Sequence, residues 1–254
     1  KQSDFVRREY KTVSETLKND LESAYADYLL LDSAGAPLAI IEAKRTSRDP
    51  HLGQKQAEMY ADDIRRQTGK EVFIFLSNGY RIILWDRERY GPRDVKGFYA
   101  REDLERLRFQ KTQDATQPVE VDTSIVDRPK GIECVKRVVE HFQKGHRKAL
   151  VVMATGTGKT RVAMAIVKIL MEKGMVQKVL FLADRRALRN QAMNKGFKQF
   201  FREEAKGTVF TGKYDKTKRL LVSTIQTFQE IYLEKDSSGK FLLSPGEFDL
   251  IISD

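Results

Sequence analysis

One run constrains this chain more than any other: Met153-Ala154-Thr155-Gly156-Thr157-Gly158-Lys159-Thr160, set between an apolar segment and an amphipathic one. Its glycines permit a tight turn whose backbone N–H groups face inward. The following helix adds its positive N-terminal end, so a polyphosphate is held largely by main chain. Thr155, Gly156, Thr157 and Gly158 form the cradle, Lys159 reaches the β- and γ-phosphates, and the Thr160 hydroxyl is a ligand for Mg²⁺. Ahead of the loop, Lys148 to Met153 is a mostly continuous apolar run, which predicts a parallel strand buried on both faces. Behind it, Val162, Ala165, Ile166, Ile169 and Leu170 recur at helical spacing until Lys173-Gly174 stops the helix. Strand, glycine loop and helix in that order call for an α/β unit with a parallel sheet.

A glycine-bounded phosphate loop would carry glycine where this chain has Met153. That departure resembles the A-x-x-G-x-G-K-T form of helicase and translocase motors. Downstream the alternation continues: strands at 148–153, 178–183, 219–224 and 248–253, helices at 161–173, 185–200 and 225–233. This order implies a parallel sheet with helices on both faces. Upstream come an opening polar segment, a hairpin over 24–44, a helix over 53–67 and strands at 71–76 and 80–86. The polar stretch Gln110 to Pro118 lacks apolar periodicity and separates the two regions as a linker. The expected division is a first domain over 1–108, a linker over 109–127 and a second domain over 128–254. A surface loop without evident chemistry follows at 234–240.

Composition narrows the class. At 254 residues the chain accommodates two domains, and its formal net charge of +10 suggests a polyanionic partner, with lysine-rich solvated faces as the alternative. The single cysteine, Cys134, lies in a helix-like stretch, cannot form an internal disulfide, and fits a reducing cytoplasm. No long apolar span and no signal-peptide pattern occur, which indicates a soluble protein without a membrane partner.

The upstream hairpin carries a second constellation. Ala26 to Asp32 and Leu38 to Lys44 are strand-like, and Ser33-Ala34-Gly35-Ala36-Pro37 between them is turn chemistry. With Ala34 and Gly35 as a two-residue loop, Asp27 falls directly opposite Glu42, and Lys44 shares their face. A slip of one residue would break that pairing. Facing carboxylates repel and call for a compensating cation, which a hard divalent ion on oxygen ligands supplies.

Asp27 followed by Glu42-Ala43-Lys44 resembles the core of PD-(D/E)xK nucleases. The resemblance implies that both carboxylates and the Ala43 carbonyl hold Mg²⁺, and that Lys44 orients or activates the attacking water and stabilises the developing charge. Gln56-Ala57-Glu58-Met59-Tyr60 looks like the Q-x-x-x-Y element of some members, and Gln56 and Tyr60 share a helical face. A solvated Glu–Lys pair and a half-buried helix aromatic are the plainer alternatives. The family also has a helix ahead of the hairpin, often with a further acid. Here that helix is short or missing, and Glu9 and Glu15 are both candidates.

The longer resemblance is to the restriction (R) subunit of type I restriction enzymes. It rests on Ala26 to Leu30, Ile41 to Arg45, Gln56 to Tyr60, Ser77-Asn78-Gly79 and the phosphate loop, in that order. Phe181 to Leu188 looks like motif Ia of superfamily-two motors, and Val222 to Phe228 like the next DNA-contacting motif. Physically, Arg185, Arg186 and Arg189 stand where a strand ends and can meet phosphates, with solvation as the alternative. Thr224, Gln226 and Thr227 can donate to phosphate oxygens, with helix capping by Thr224 as the alternative. The resemblance implies an N-terminal restriction-endonuclease-like α/β domain followed by a RecA-like parallel α/β motor domain, incomplete here. It implies ATP and Mg²⁺ as cofactors. It also implies double-stranded DNA and the modification (methyltransferase) and specificity subunits as partners, in the cytoplasm.

Two departures qualify the expectation. Arg128-Pro129-Lys130-Gly131-Ile132 lacks the adenine-reading glutamine motif. Phe248 to Asp254 ends on what looks like the first acid of a D-E-x-H motif, so Asp254 would join Thr160 at Mg²⁺, but the glutamate that positions the hydrolytic water is not in this chain. The expected behaviour is a phosphate-binding half-site that binds ATP and hardly turns it over. The alternatives are a superfamily-two helicase whose N-terminal domain binds nucleic acid without cutting, and a nucleotide-binding regulator that uses its charge for protein contacts.

Overall fold

The computed structural model describes residues 5–11, 25–113, 117–209, 214–235, 237, 239 and 241–254. The chain divides into two compact units, Lys1–Glu105 and Arg106–Asp254.

In the first unit, β1 (Val6–Lys11), β2 (Tyr25–Leu31), β3 (Pro37–Ala43), β4 (Phe73–Ser77), β5 (Ile82–Asp86) and β6 (Tyr90–Val95) form a six-stranded sheet in chain order. Only β3 and β4 run parallel, because α1 (Gln54–Thr68) carries the chain back between them. Ala57, Tyr60, Ala61 and Ile64 recur at helical spacing on α1 and pack on Leu29, Ile40, Ile74, Leu76 and Ile83 of the sheet. Each large aliphatic side chain so buried contributes about 1.5–3 kcal/mol. Gly69, at φ 69°, ends the helix by returning its N–H to the Arg65 carbonyl.

The hairpin keeps the expected register through a different turn. Tyr28 pairs with Ile41, Leu29 with Ile40 and Leu30 with Ala39. The loop has three residues rather than two: Asp32 N–H bonds the Ala36 carbonyl, while the Asp32 carboxylate accepts from Ala34 and Ala36 N–H groups. Gly35 takes the left-handed position at φ 79°, and a bulge between Leu30 and Leu31 absorbs the extra residue.

In the second unit, β7 (Val179–Ala183), β8 (Lys206–Thr208), β9 (Leu220–Thr224) and β10 (Leu250–Ser253) make a parallel sheet in the order β10-β7-β9-β8. Val179, Phe181 and Ala183 point into a core shared with α3 (Pro129–Gln143) and α4 (Lys159–Glu172), whereas Leu180 faces Val209, Leu221, Leu243 and Ile231 of α7 (Ile225–Leu233). Helices therefore cover both faces, as expected. The helix expected over 185–200 is α5 (Arg186–Gln191), a π-helical turn at Ala192–Phe197, and α6 (Lys198–Phe200). An eleven-residue helix, α2 (Arg101–Lys111), spans the division between the units.

Three expectations are corrected. The strand over 148–153 is not formed: residues 146–154 are neither helix nor strand, and Leu150 and Val152 are 89% and 87% exposed. His141 Nε2 meets the Lys148 carbonyl at 3.0 Å, and the segment and β10 line one cavity of about 220 Å³ without a ladder between them. Second, the linker over 109–127 is not a free spacer. Its start is the last turn of α2, and from Gln117 the chain is a strap along α4. Lys173 binds the Gln117 and Pro118 carbonyls, Lys168 binds Asp122, and Arg161 binds the carbonyls of Ser124 and Ile125. Val119, Val121, Ile125 and Val126 enter the core beneath. The strap's polar groups are partners for helix cations, which made it resemble a solvated connector. Third, Glu9 lies on a strand and not a helix: β1 places it between the pairs Arg8–Tyr28 and Tyr10–Ala26, with φ 48°. Glu15 lies outside the described residues. Among the described residues no helix is long and apolar enough to cross a membrane.

Candidate active site

The end of β3, its neighbour β2 and the first turns of α1 bring five side chains of the first unit into one connected set. Asp27 Oδ2 accepts the Ala43 N–H at 2.7 Å, which fixes the acid to the backbone beside Glu42. Lys44 Nζ donates to Glu42 Oε1 at 2.6 Å and to Gln56 Oε1 at 3.1 Å, and Gln56 Nε2 donates to Tyr60 Oη at 2.5 Å. The Lys44 N–H also bonds the Ser77 carbonyl at 2.8 Å, so β4 holds the lysine backbone.

Glu42 is 3% exposed. Burial raises its proton affinity above the usual carboxylate range, outweighing the hydrogen bond and charge of Lys44, and the charge of Asp27 adds to the rise. Glu42 Oε2 is buried with no hydrogen-bond partner. A desolvated carboxylate oxygen without a donor is costly unless a cation meets it, so Asp27, Glu42 and the Ala43 carbonyl suit a hard divalent ion. Among the described residues no group of three or more His, Cys, Asp or Glu could hold a metal ion, so remaining positions would fall to backbone and water.

Sequence reasoning missed one residue that shapes this set. Asn78 Nδ2 donates to the Arg48 carbonyl at 2.9 Å, and its Oδ1 accepts from the Tyr80 and Arg81 N–H groups. It thereby ties the β4–β5 turn to the segment leading from Lys44 toward α1. Ser77-Asn78-Gly79 entered the sequence reading only as a stretch of the family resemblance, and the partner of Asn78 thirty residues back left no local signal.

In the second unit the phosphate loop has its expected backbone. Gly156 and Gly158 take φ 78° and 99°, and α4 begins at Lys159 without a side-chain cap, so its first N–H groups stay open to a ligand. Thr157 turns inward: its hydroxyl and N–H both bond the Ala154 carbonyl and close the turn. Thr155 and Gly156 are exposed on the loop tip. Lys159, Thr160 and Asp254 line the same cavity of about 220 Å³, together with Met153 and Phe181. Among the described residues the Lys159 ammonium and Thr160 hydroxyl have no hydrogen-bond or ion-pair partner, and the Asp254 N–H is held by the Leu182 carbonyl. Asp249 pins the start of β10 to the start of β7, accepting the Gln177 and Lys178 N–H groups at 2.9 Å and Arg106 Nε at 3.0 Å. Arg128, in the segment that lacks the glutamine motif, reaches the Gly156 carbonyl at 3.5 Å.

Arg185 and Arg186 are exposed, and Arg189 bonds Asn190 Oδ1. Thr224 follows the capping alternative: it is buried, accepts the Thr227 N–H at 3.3 Å and donates to Thr227 Oγ1, so it is not presented to a phosphate. Gln226 is exposed.

An acid–lysine cluster on a mixed sheet is thus followed by a phosphate-loop unit on a parallel sheet, and the comparisons with known proteins say which family carries this pair. Residues 124–254, just over half of the chain, match the family described as "Type III restriction enzyme, res subunit", and residues 5–93 match "Type I restriction enzyme R protein N terminus". The chain belongs to this restriction-subunit family and corresponds to the N-terminal portion of a type I R subunit. It is 27% identical over 252 residues to the EcoAI type I restriction enzyme endonuclease subunit of Escherichia coli, covering 90% of this chain and 29% of that protein. It is 31% identical over 129 residues to the EcoKI endonuclease subunit of Escherichia coli strain K12, covering 48% of this chain and 11% of that one. The chain thus spans less than a third of the length of these relatives. A solved fragment assigned to an HsdR subunit of a type I restriction enzyme from Vibrio vulnificus YJ016 aligns with a TM-score of 0.40 and 23% identity, over 98% of this chain and 46% of that one.

Proposed function

We propose that this chain is the part of a cytoplasmic type I restriction enzyme that cuts double-stranded DNA with Mg²⁺ and begins the ATP-driven motor that moves it. Residues up to about 108 form the nuclease, and the residues from the strap to Asp254 form the first motor unit. The observation that carries the reading is the unpartnered, buried Glu42 Oε2 beside the Lys44–Gln56–Tyr60 hydrogen-bond chain. A solvated Glu–Lys pair would show neither.

Asp27, Glu42 and the Ala43 carbonyl would hold Mg²⁺, which supplies Lewis-acid polarisation of the scissile phosphate and a lowered pKa for water. Lys44 places a fixed cation where charge gathers on the phosphate as water adds and the leaving oxygen departs. Gln56 orients Lys44, and Tyr60, anchored in the core, orients Gln56. In the second unit the open N–H groups of the loop and α4, with Lys159, would bind the ATP phosphates, and Thr160 and Asp254 would hold its Mg²⁺. Modification and specificity subunits would supply recognition of the DNA.

The test is plasmid cleavage by the assembled enzyme carrying Asp27→Ala, Glu42→Ala or Lys44→Ala in its R subunit. Cleavage should disappear while DNA-dependent ATPase persists. Undiminished cleavage would overturn the reading in favour of a helicase with a merely binding N-terminal domain.

A further inference from the structure

The turn between β3 and α1 contains a residue whose identity its own backbone does not explain. Gly53 closes a 3₁₀ turn, Pro50–Gly53, and serves as the N-cap of α1 with φ −86° and ψ −6°. Any L-residue adopts that conformation without strain. Asp49 caps the turn by accepting the His51 N–H, so the turn has a capping residue already and needs none at position 53.

What glycine provides here is space. A Cβ built on Gly53 would lie 2.7 Å from Glu42 Cγ and 3.0 Å from Lys44 Cε. Both are carbons of the acid–lysine pair, and Gly53 itself is buried. Side-chain carbons do not approach so closely, so a methyl at this position must displace the stem of Glu42, of Lys44 or of both. Glu42 cannot swing freely, because its Oε1 is bonded to Lys44 while the side chain is almost wholly buried.

We propose that Gly53 is a positioning residue of the nuclease site: its missing side chain lets the turn ahead of α1 close onto Glu42 and Lys44 and aim the unpartnered Glu42 oxygen at a divalent cation. The inference rests on the nuclease reading. Gly53 touches neither substrate nor metal and acts through the two stems it packs against. Closing the turn this way also places Gln56, three residues on, within reach of Lys44.

The experiment titrates Mn²⁺ alone into the full-length R subunit by calorimetry, for the wild type, Gly53→Ala, Glu42→Ala and Lys55→Ala, the last an exposed neighbour. Gly53→Ala should weaken Mn²⁺ binding about 10- to 100-fold, the effect usual for residues that orient metal ligands. Half-maximal Mg²⁺ for plasmid cleavage should rise in proportion while cleavage at saturating Mg²⁺ approaches wild type. ATP binding and Lys55→Ala should stay unchanged. Wild-type Mn²⁺ affinity in Gly53→Ala, alongside its loss in Glu42→Ala, overturns the role of Gly53. Equal Mn²⁺ binding in wild type and Glu42→Ala overturns the nuclease reading itself. If Gly53→Ala folds poorly, the substitution is repeated in a Lys44→Ala background, where the removed stem leaves Glu42 room to yield. A smaller loss of Mn²⁺ affinity there supports the packing role, and an equal loss overturns it.

Discussion

Asp27 is bonded to Ala43 through its side chain: Oδ2 accepts the Ala43 N–H where a strand ladder would use a carbonyl. The acid is therefore part of the sheet's hydrogen bonding as well as of the candidate site. Asp27→Asn keeps an acceptor and removes the charge, whereas Asp27→Ala removes both. Both should reduce DNA cleavage about 100-fold or more, but only Asp27→Ala should also lower the thermal midpoint. Melting curves beside plasmid nicking assays separate the two effects, and full cleavage by Asp27→Asn would remove this residue from the site.

The phosphate loop depends on a backbone that only glycine adopts cheaply. At φ 99°, Gly158 forces any side chain into a strained conformation costing about 1–3 kcal/mol. Gly158→Ala should therefore weaken binding of a fluorescent ATP analogue by distorting the loop, while Lys159→Ala should abolish it with the fold unchanged. Equal affinity in Lys159→Ala and wild type would show that nucleotide phosphates bind elsewhere.

In the second unit the Lys178 ammonium meets Glu247 Oε1 below the surface, with the Tyr214 hydroxyl on the same oxygen. Burial pushes Glu247 toward its protonated form, yet the hydrogen bonds from Lys178 and Tyr214 and the lysine charge together hold its proton affinity below the usual carboxylate range. Lys178→Met strands the acid and should cost about 3–5 kcal/mol in urea unfolding. Adding Glu247→Leu should recover much of that loss, because the desolvated charge is then gone. A Lys178→Met midpoint equal to wild type would contradict the geometry.

Acid should loosen the strap. Hydrogen bonds from Lys168, then from the Ser124 hydroxyl and N–H, hold the Asp122 carboxyl down to about 2 from an ordinary 3.8. The folded state thus binds fewer protons than the unfolded one across that interval. Its contribution to stability is complete above about pH 4 and fades as pH falls through about 2. Between those limits the thermal midpoint of wild type should fall more steeply than that of Asp122→Asn, and parallel curves would refute the assignment.

Features set by neighbouring residues were legible, and features set by distant ones were not. The glycines of the phosphate loop and the periodicity of α4 are local signals. The register of β2 against β3 from Tyr28 to Leu30 was legible too, although the two-residue turn assumed for it was wrong. The register survived because the bulge between Leu30 and Leu31 compensates for the third loop residue. Residues 148–153 misled because an apolar run reports a tendency to be buried and says nothing about whether a neighbouring strand lies within ladder distance. β1 escaped notice because its polar sequence, Val-Arg-Arg-Glu-Tyr-Lys, lacks alternation, and an edge strand tolerates that. The contacts of Asp249 with Arg106, and of Asn78 with Arg48, join residues that no window of sequence holds together.

The strap along α4 has a bearing on how such proteins are assembled from parts. Motif positions alone would start the second unit near Arg128, but Ile125, Val126 and the carbonyls bound by Arg161 belong to its packing. A recombination joint placed at Arg128 would leave α4 with a bare apolar flank and three cations without their acceptors. A joint upstream of Gln117 would keep these contacts, so the stretch that packs as one unit is longer than its phosphate-loop motif suggests.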